Sequence, residues 1–186
     1  LPEGFTYYGL EDLVLDRSDV ILTREERTIE SEELTEDQRR YITELIRTSG
    51  ILCLPKQCYY NSQLATLYDH DERLTYVEGY ASTGILPLQH AWLVIDHGTP
   101  QARIIDLTWR DAKGDIILGK IPVAHEYLGT SQFSQEVISD YVEKYAEAAC
   151  LIGNWRDEYP EFKQPRRKPL PAFNAEWEQH LEEMAK

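Results

Sequence analysis

Cys58, His90 and Asp106 are the residues whose types and spacing could carry chemistry. A thiol, an imidazole and a carboxylate are the parts of a nucleophile, a general base and the group that orients the base. Cys58 follows Pro55-Lys56-Gln57 and opens a stretch, 58–69, that reads as a helix. A thiol at a helix N-terminus ionises more readily, because the helix dipole and the free N–H groups favour thiolate. The same N–H groups can hold an oxyanion. His90 and Asp106 lie on two strand-like runs, 88–96 and 102–109, joined by the turn Asp96-His97-Gly98-Thr99-Pro100. Centring that turn on Gly98 sets Trp92 opposite Ile104, Val94 opposite Ala102 and His90 opposite Asp106. Opposed residues of an antiparallel pair share a face. His90, Trp92, Val94, Ala102, Ile104 and Asp106 then form one face, and Ala91, Leu93, Ile95, Gln101, Arg103 and Ile105 the other. A slip of one residue would destroy the arrangement.

The elements that must position these residues follow from periodicity and punctuation. Thr35-Glu36-Asp37-Gln38 reads as a capping box, and the helix it starts runs to about Thr48, with Tyr41, Ile42, Leu45 and Ile46 on one face and Gly50 as its stop. In the helix opened by Cys58, Ser62 and Ala65 are small enough for close approach to a sheet, while Tyr60, Leu64, Leu67 and Tyr68 form a second, core-anchoring face. A further strand is expected over 74–81, with Glu78 and Tyr80 on its solvent face. Residues 121–128 read as a packed helix start or a cleft-side loop. A helix is expected over 132–149 with Val137, Ile138, Tyr141 and Tyr145 inward. A proline-containing loop covers 156–171, and a last helix covers 174–185. Helices, an antiparallel meander and helices again make an α+β protein with helices on one side of the sheet. The 186 residues suit one domain, with its core at about 36–150.

Cys58 at a helix start, Tyr76-Val77-Glu78-Gly79-Tyr80-Ala81, His90-Ala91-Trp92 and Asp106-Leu107-Thr108-Trp109 together resemble the transglutaminase-like branch of the papain-like cysteine protease superfamily. The resemblance covers roughly residues 50–110. It implies a papain-like core, Cys58 as nucleophile, His90 as general base and acid, and Asp106 as the orienting residue. Gln57 is a candidate oxyanion donor after the Cys58 backbone N–H, and Trp92 and Trp109 are candidates to wall the substrate cleft. The sequence departs from the pattern at Leu107, where proline is frequent, and in lacking the glycine often found before the nucleophile.

Composition narrows the partners. The net charge of −14 argues against nucleic acid and against an anionic membrane surface. Arg166-Arg167-Lys168, a short basic run between prolines, reads as a solvated loop. No apolar stretch has the length of a membrane span, and the N-terminus shows no signal-peptide pattern. Three cysteines make no disulfide framework and fit a reducing, cytoplasmic setting. Cys53, in an apolar run, and Cys150, at a helix end, read as small buried hydrophobes. His70 and His97 read as turn residues, and His125 and His180 as surface. No metal or cofactor is expected. The expected activity is cleavage or exchange of an amide bond through a thioester, as in a peptidase, deamidase or transglutaminase, on a protein, a peptide or a small amide. A catalytically silent binding module on the same fold and a small-molecule acyltransferase are the alternatives.

Overall fold

The computed structural model describes residues 4–7, 10–17, 33–83 and 87–167. Its elements are α1 (Leu10–Arg17), α2 (Glu36–Ser49), α3 (Cys58–Leu67), β1 (Leu74–Ser82), β2 (Pro87–Ile95), β3 (Arg103–Arg110), β4 (Ile116–Leu118), β5 (Glu126–Phe133) and α4 (Gln135–Tyr145), followed by two 3-10 turns at Trp155–Asp157 and Pro160–Lys163. The fold is α+β, with an antiparallel five-stranded sheet in the order β4-β3-β2-β1-β5. The helix expected over 174–185 lies outside the described residues.

Local chemistry accounts for the elements around the site. The α2 capping box forms as its sequence requires, with Thr35 accepting from Gln38 N and the Gln38 side chain accepting from Thr35 N. Gly50 ends α2 with a φ of 69°, the left-handed conformation that glycine takes without steric cost. Ile42 and Leu45 point into the core, and Tyr41 and Ile46 flank it. In α3, Ser62 and Ala65 are fully buried against the sheet. Tyr60 and Tyr68 instead face outward, because the close helix–sheet approach leaves room only for small residues on the buried side.

Each sheet face has its own core. One carries Tyr76, Ala91, Leu93, Ile95, Ile105 and Leu107 against the helices. The other gathers Val77, Trp92, Val94, Ile104, Ile121 and Tyr127. The β2–β3 register differs from the sequence expectation by two residues: Val94 faces Ile104, Leu93 faces Ile105 and Ile95 faces Arg103. The turn is longer than one centred on Gly98, with Thr99 N–H bonded to the Asp96 carbonyl and Ala102 N–H to the Thr99 carbonyl. A shift of two keeps every side chain on its expected face, so His90 and Asp106 still share one.

Three expectations need correction. Residues 126–133 form strand β5, not the start of a helix, and pair with β1 around a bulge at Glu78/Gly79. Gly79 is required there, since a Cβ would collide with the Leu128 carbonyl. Helix α4 therefore starts only after Ser134, which caps Val137 N, and Val137 is exposed while Ile138 and Tyr141 are buried. Glu78 is not a solvent-facing residue but is fully buried. Among the described residues no helix is long and apolar enough to cross a membrane.

Candidate active site

The split between β2 and β3 creates the site. Their paired residues run only from Leu93–Ile95 and Arg103–Ile105. Beyond that, the Ala91 carbonyl accepts from Ser62 Oγ (3.4 Å), and the Leu107 carbonyl accepts from Asn61 Nδ2 (3.5 Å). The first turns of α3 thus occupy the place of ladder bonds. Asn61 also donates to Leu54 O and Thr108 Oγ1, both at 2.9 Å, tying the entry loop and β3 to the helix. Through this opening Cys58, on the helix side of the sheet, meets His90, whose side chain belongs to the opposite face.

Asp106 is fully buried and accepts four hydrogen bonds. Its Oδ2 lies 2.7 Å from His90 Nε2 and 2.9 Å from the Tyr127 hydroxyl. Its Oδ1 takes the backbone N–H groups of Thr108 (2.9 Å) and Trp109 (3.0 Å). Those N–H groups are free to turn inward because β3 bulges against β4 between Asp106 and Arg110. Burial pushes the Asp106 carboxyl up, but the hydrogen bond and charge of His90 and the two backbone donors outweigh it, so it stays below the usual range. An ionised Asp106 fixes the tautomer: Nε2 carries a proton and donates, and Nδ1 is left for the thiol.

Burial pulls the imidazole of His90 down, yet its interactions with Asp106 and with Cys58 prevail and raise it from 6.5 to about 9. Trp109 lies over the ring, with centroids 4.5 Å apart and planes at 23°. An imidazolium is favoured at neutral pH by this environment, between a carboxylate and an aromatic face.

Cys58 is the first residue of α3 and is 9% exposed. Gln57 is the N-cap, is solvent-exposed and makes no side-chain cap bond, so its side chain leaves the helix N-terminal donors untouched. The entry loop holds Cys53 and Lys56 at φ of 49° and 63°, left-handed conformations that non-glycine residues adopt at a cost. Trp109 is half-buried beside the imidazole. Trp92 is 2% exposed and packs against Tyr127 beneath the site, which leaves almost none of it for a substrate. Two concavities of about 560 and 660 Å³ meet at Phe133 and Ser134 and include none of Cys58, His90 or Asp106.

Sequence reasoning missed Tyr127, the second donor to Asp106 Oδ2. Its alternating neighbours Tyr127, Gly129 and Ser131 carry too little apolar signal to declare a strand. It also missed a second thiol–carboxylate contact. Cys150 is half-buried, lies outside any described helix and donates to Glu78 (3.2 Å). Among the described residues no group of three or more His, Cys, Asp and Glu side chains is placed to hold a metal ion. No family model, curated protein or solved structure matches the chain.

Proposed function

We infer that this protein is a thiol-dependent enzyme that cleaves or exchanges an amide or acyl bond. The observation that carries the reading is the relay from Cys58 through the His90 ring to a carboxylate kept ionised in the interior. Resemblance of Cys58, His90-Ala91-Trp92 and Asp106 to a transglutaminase-like, papain-like core points the same way.

In the mechanism, His90 Nδ1 takes the proton of Cys58 as the sulfur attacks. The sulfur adds to the substrate carbonyl and the carbonyl π electrons move onto oxygen. Backbone N–H groups at the start of α3 stabilise that oxyanion. The intermediate collapses to a thioester as His90 gives its proton to the departing amine. Asp106 keeps the ring oriented and charged throughout. Water, deprotonated by His90, then hydrolyses the thioester to a carboxylic acid. An amine in place of water would give transamidation. Hydrolysis is the default, since water needs no second binding site.

The test is the pH dependence of iodoacetamide alkylation, read residue by residue by peptide mass spectrometry in wild type and His90→Ala. The reading requires Cys58 to react ahead of Cys53 and Cys150, with a pH dependence that follows His90, and to slow in the variant. Cys58 behaving as an ordinary thiol regardless of His90 would defeat it.

A further inference from the structure

The triad leaves a second polar cluster unused. Cys150 Sγ donates to Glu78 Oε2 at 3.2 Å and receives Gly153 N–H at 3.2 Å and Gln89 Nε2 at 2.9 Å. The Tyr59 hydroxyl is bonded to it as well. Glu78 is anchored in turn, accepting from Tyr76 Oη (2.6 Å), Leu151 N (2.8 Å) and Ile152 N (2.9 Å). Because the thiol's one proton goes to Glu78, the end of the Gln89 amide that faces sulfur is its NH2. That group has two hydrogens. One is taken by sulfur and the other remains available.

The placement of Gln89 gives that hydrogen a use. Gln89 precedes His90 in β2, and strand alternation puts its side chain on the helix face, with Ala91. The Ala91 carbonyl is already bonded to Ser62. Cys58 lies four residues back from Ser62, about 6 Å along the helix, and Gln89 lies two residues back from Ala91, about 6.6 Å. The two steps are nearly equal, so Gln89 reaches the level of Cys58. Consistently, Tyr59 and Gln89, the chain neighbours of Cys58 and His90, converge on the same sulfur.

We propose that Gln89 supplies the side-chain donor of the oxyanion hole, and that Glu78 and Cys150 hold its amide in position. The proposal rests on the thiol-enzyme reading above. When the Cys58 sulfur adds to the carbonyl, the C–S bond forms and the displaced electron pair resides on oxygen. The free Nε2 hydrogen of Gln89 and the Cys58 N–H bond that oxygen until it reforms the carbonyl and expels the leaving group. Gln89 is then a catalytic residue, and Cys150 and Glu78 are positioning residues.

Two reagents separate this role from a structural one. Iodoacetamide alkylates thiolate by displacing iodide and forms no oxyanion. p-Nitrophenyl acetate acylates by carbonyl addition and does. Both rate constants are measured at Cys58 in the full chain, by mass spectrometry and by the nitrophenolate burst. Gln89→Ala is expected to lower acylation by about 10²-fold, the usual effect of losing one oxyanion donor, with alkylation within about twofold of wild type. Cys150→Ala should lower acylation by about tenfold by releasing the amide, and Cys150→Ser, which keeps an acceptor for Gln89 and a donor for Glu78, should restore most of it. Acylation of Gln89→Ala at the wild-type rate, or an equal fall in both reactions, overturns the proposal. Failure of wild type to show His90-dependent alkylation at Cys58 strikes instead at the triad, and the proposal goes with it.

Discussion

Two thiols of the molecule lie near buried carboxylates, one in direct contact and one across an imidazole. At Cys150 the carboxylate of Glu78 touches the sulfur directly. Burial and that negative charge push the Cys150 thiol well above the ordinary range. Glu78 is itself raised by burial, against the four hydrogen bonds it accepts. Both groups are thus shifted upward, and the thiol keeps its proton against the carboxylate, as a structural joint should. At Cys58 an imidazole stands between sulfur and carboxylate, and its proton converts the same negative charge into support for a cation next to the thiol. A carboxylate adjoining a thiol directly suppresses ionisation. One placed a ring's width away, through a proton-carrying heterocycle, supports the cation of that ring instead.

The largest effects should come from breaking the relay. His90→Ala is expected to reduce Cys58 acylation by about 10²–10⁴-fold, the usual contribution of a general base. Asp106→Asn should fall in the same range, with its pH profile moved because the ring loses the carboxylate that raises it.

The second arm of the comparison predicts a different phenotype. Glu78→Ala orphans the Leu151 and Ile152 N–H groups, each at a cost of about 1–3 kcal/mol, and takes the acceptor from the Tyr76 O–H, which keeps only its bond from Gln63. Denaturant unfolding should therefore show a loss of several kcal/mol. In the surviving folded fraction Cys150 should alkylate at lower pH than in wild type, while the pH dependence at Cys58 stays put. A shift at Cys58 of equal size would mean that the two thiols are one electrostatic unit.

Tyr127→Phe is a finer probe. It removes one of the two donors to Asp106 Oδ2 and leaves the ring packed. A hydrogen bond to a charged group contributes about 1.5–3 kcal/mol, so the Asp106 carboxyl should rise. Turnover should fall by about tenfold, read as a change in the acid limb of the pH–rate profile.

The smallest expected effect is on stability against pH. The folded pKa of His90, about 9, exceeds its unfolded value of 6.5. Its contribution is complete below about 6.5 and disappears as pH rises through 9. Asp106 has a lowered folded pKa, so its contribution is present above the unfolded value and is lost as pH falls through the folded one. The stability gap between wild type and His90→Ala should therefore narrow between pH 6.5 and 9. A constant gap across that window would show that the pair does not titrate with folding.

Much of the relay is legible in the sequence. The capping box at Thr35, the helix start at Cys58 and the parity of His90 with Asp106 are local or period-two features, and parity survived a register error because the error was even. Tyr127 and Glu78 were not legible. Tyr127 acts from a strand added at the far side of β1, and Glu78 is buried because residues 150–152 fold over it. Both depend on pairings between distant segments that no local pattern encodes. The opening that lets thiol and imidazole meet from opposite faces was equally invisible, since it depends on where the β2–β3 ladder ends.

That ending makes the hairpin tip a remote control. The Asp96–Pro100 turn sets the register in which β2 and β3 pair before α3 parts them, and hence which side chains reach the aperture where Cys58 and His90 face one another. A single residue inserted or deleted there would slip the register by one and turn His90 and Asp106 to opposite faces. Length changes at this exposed tip should accordingly be better tolerated by folding than by activity.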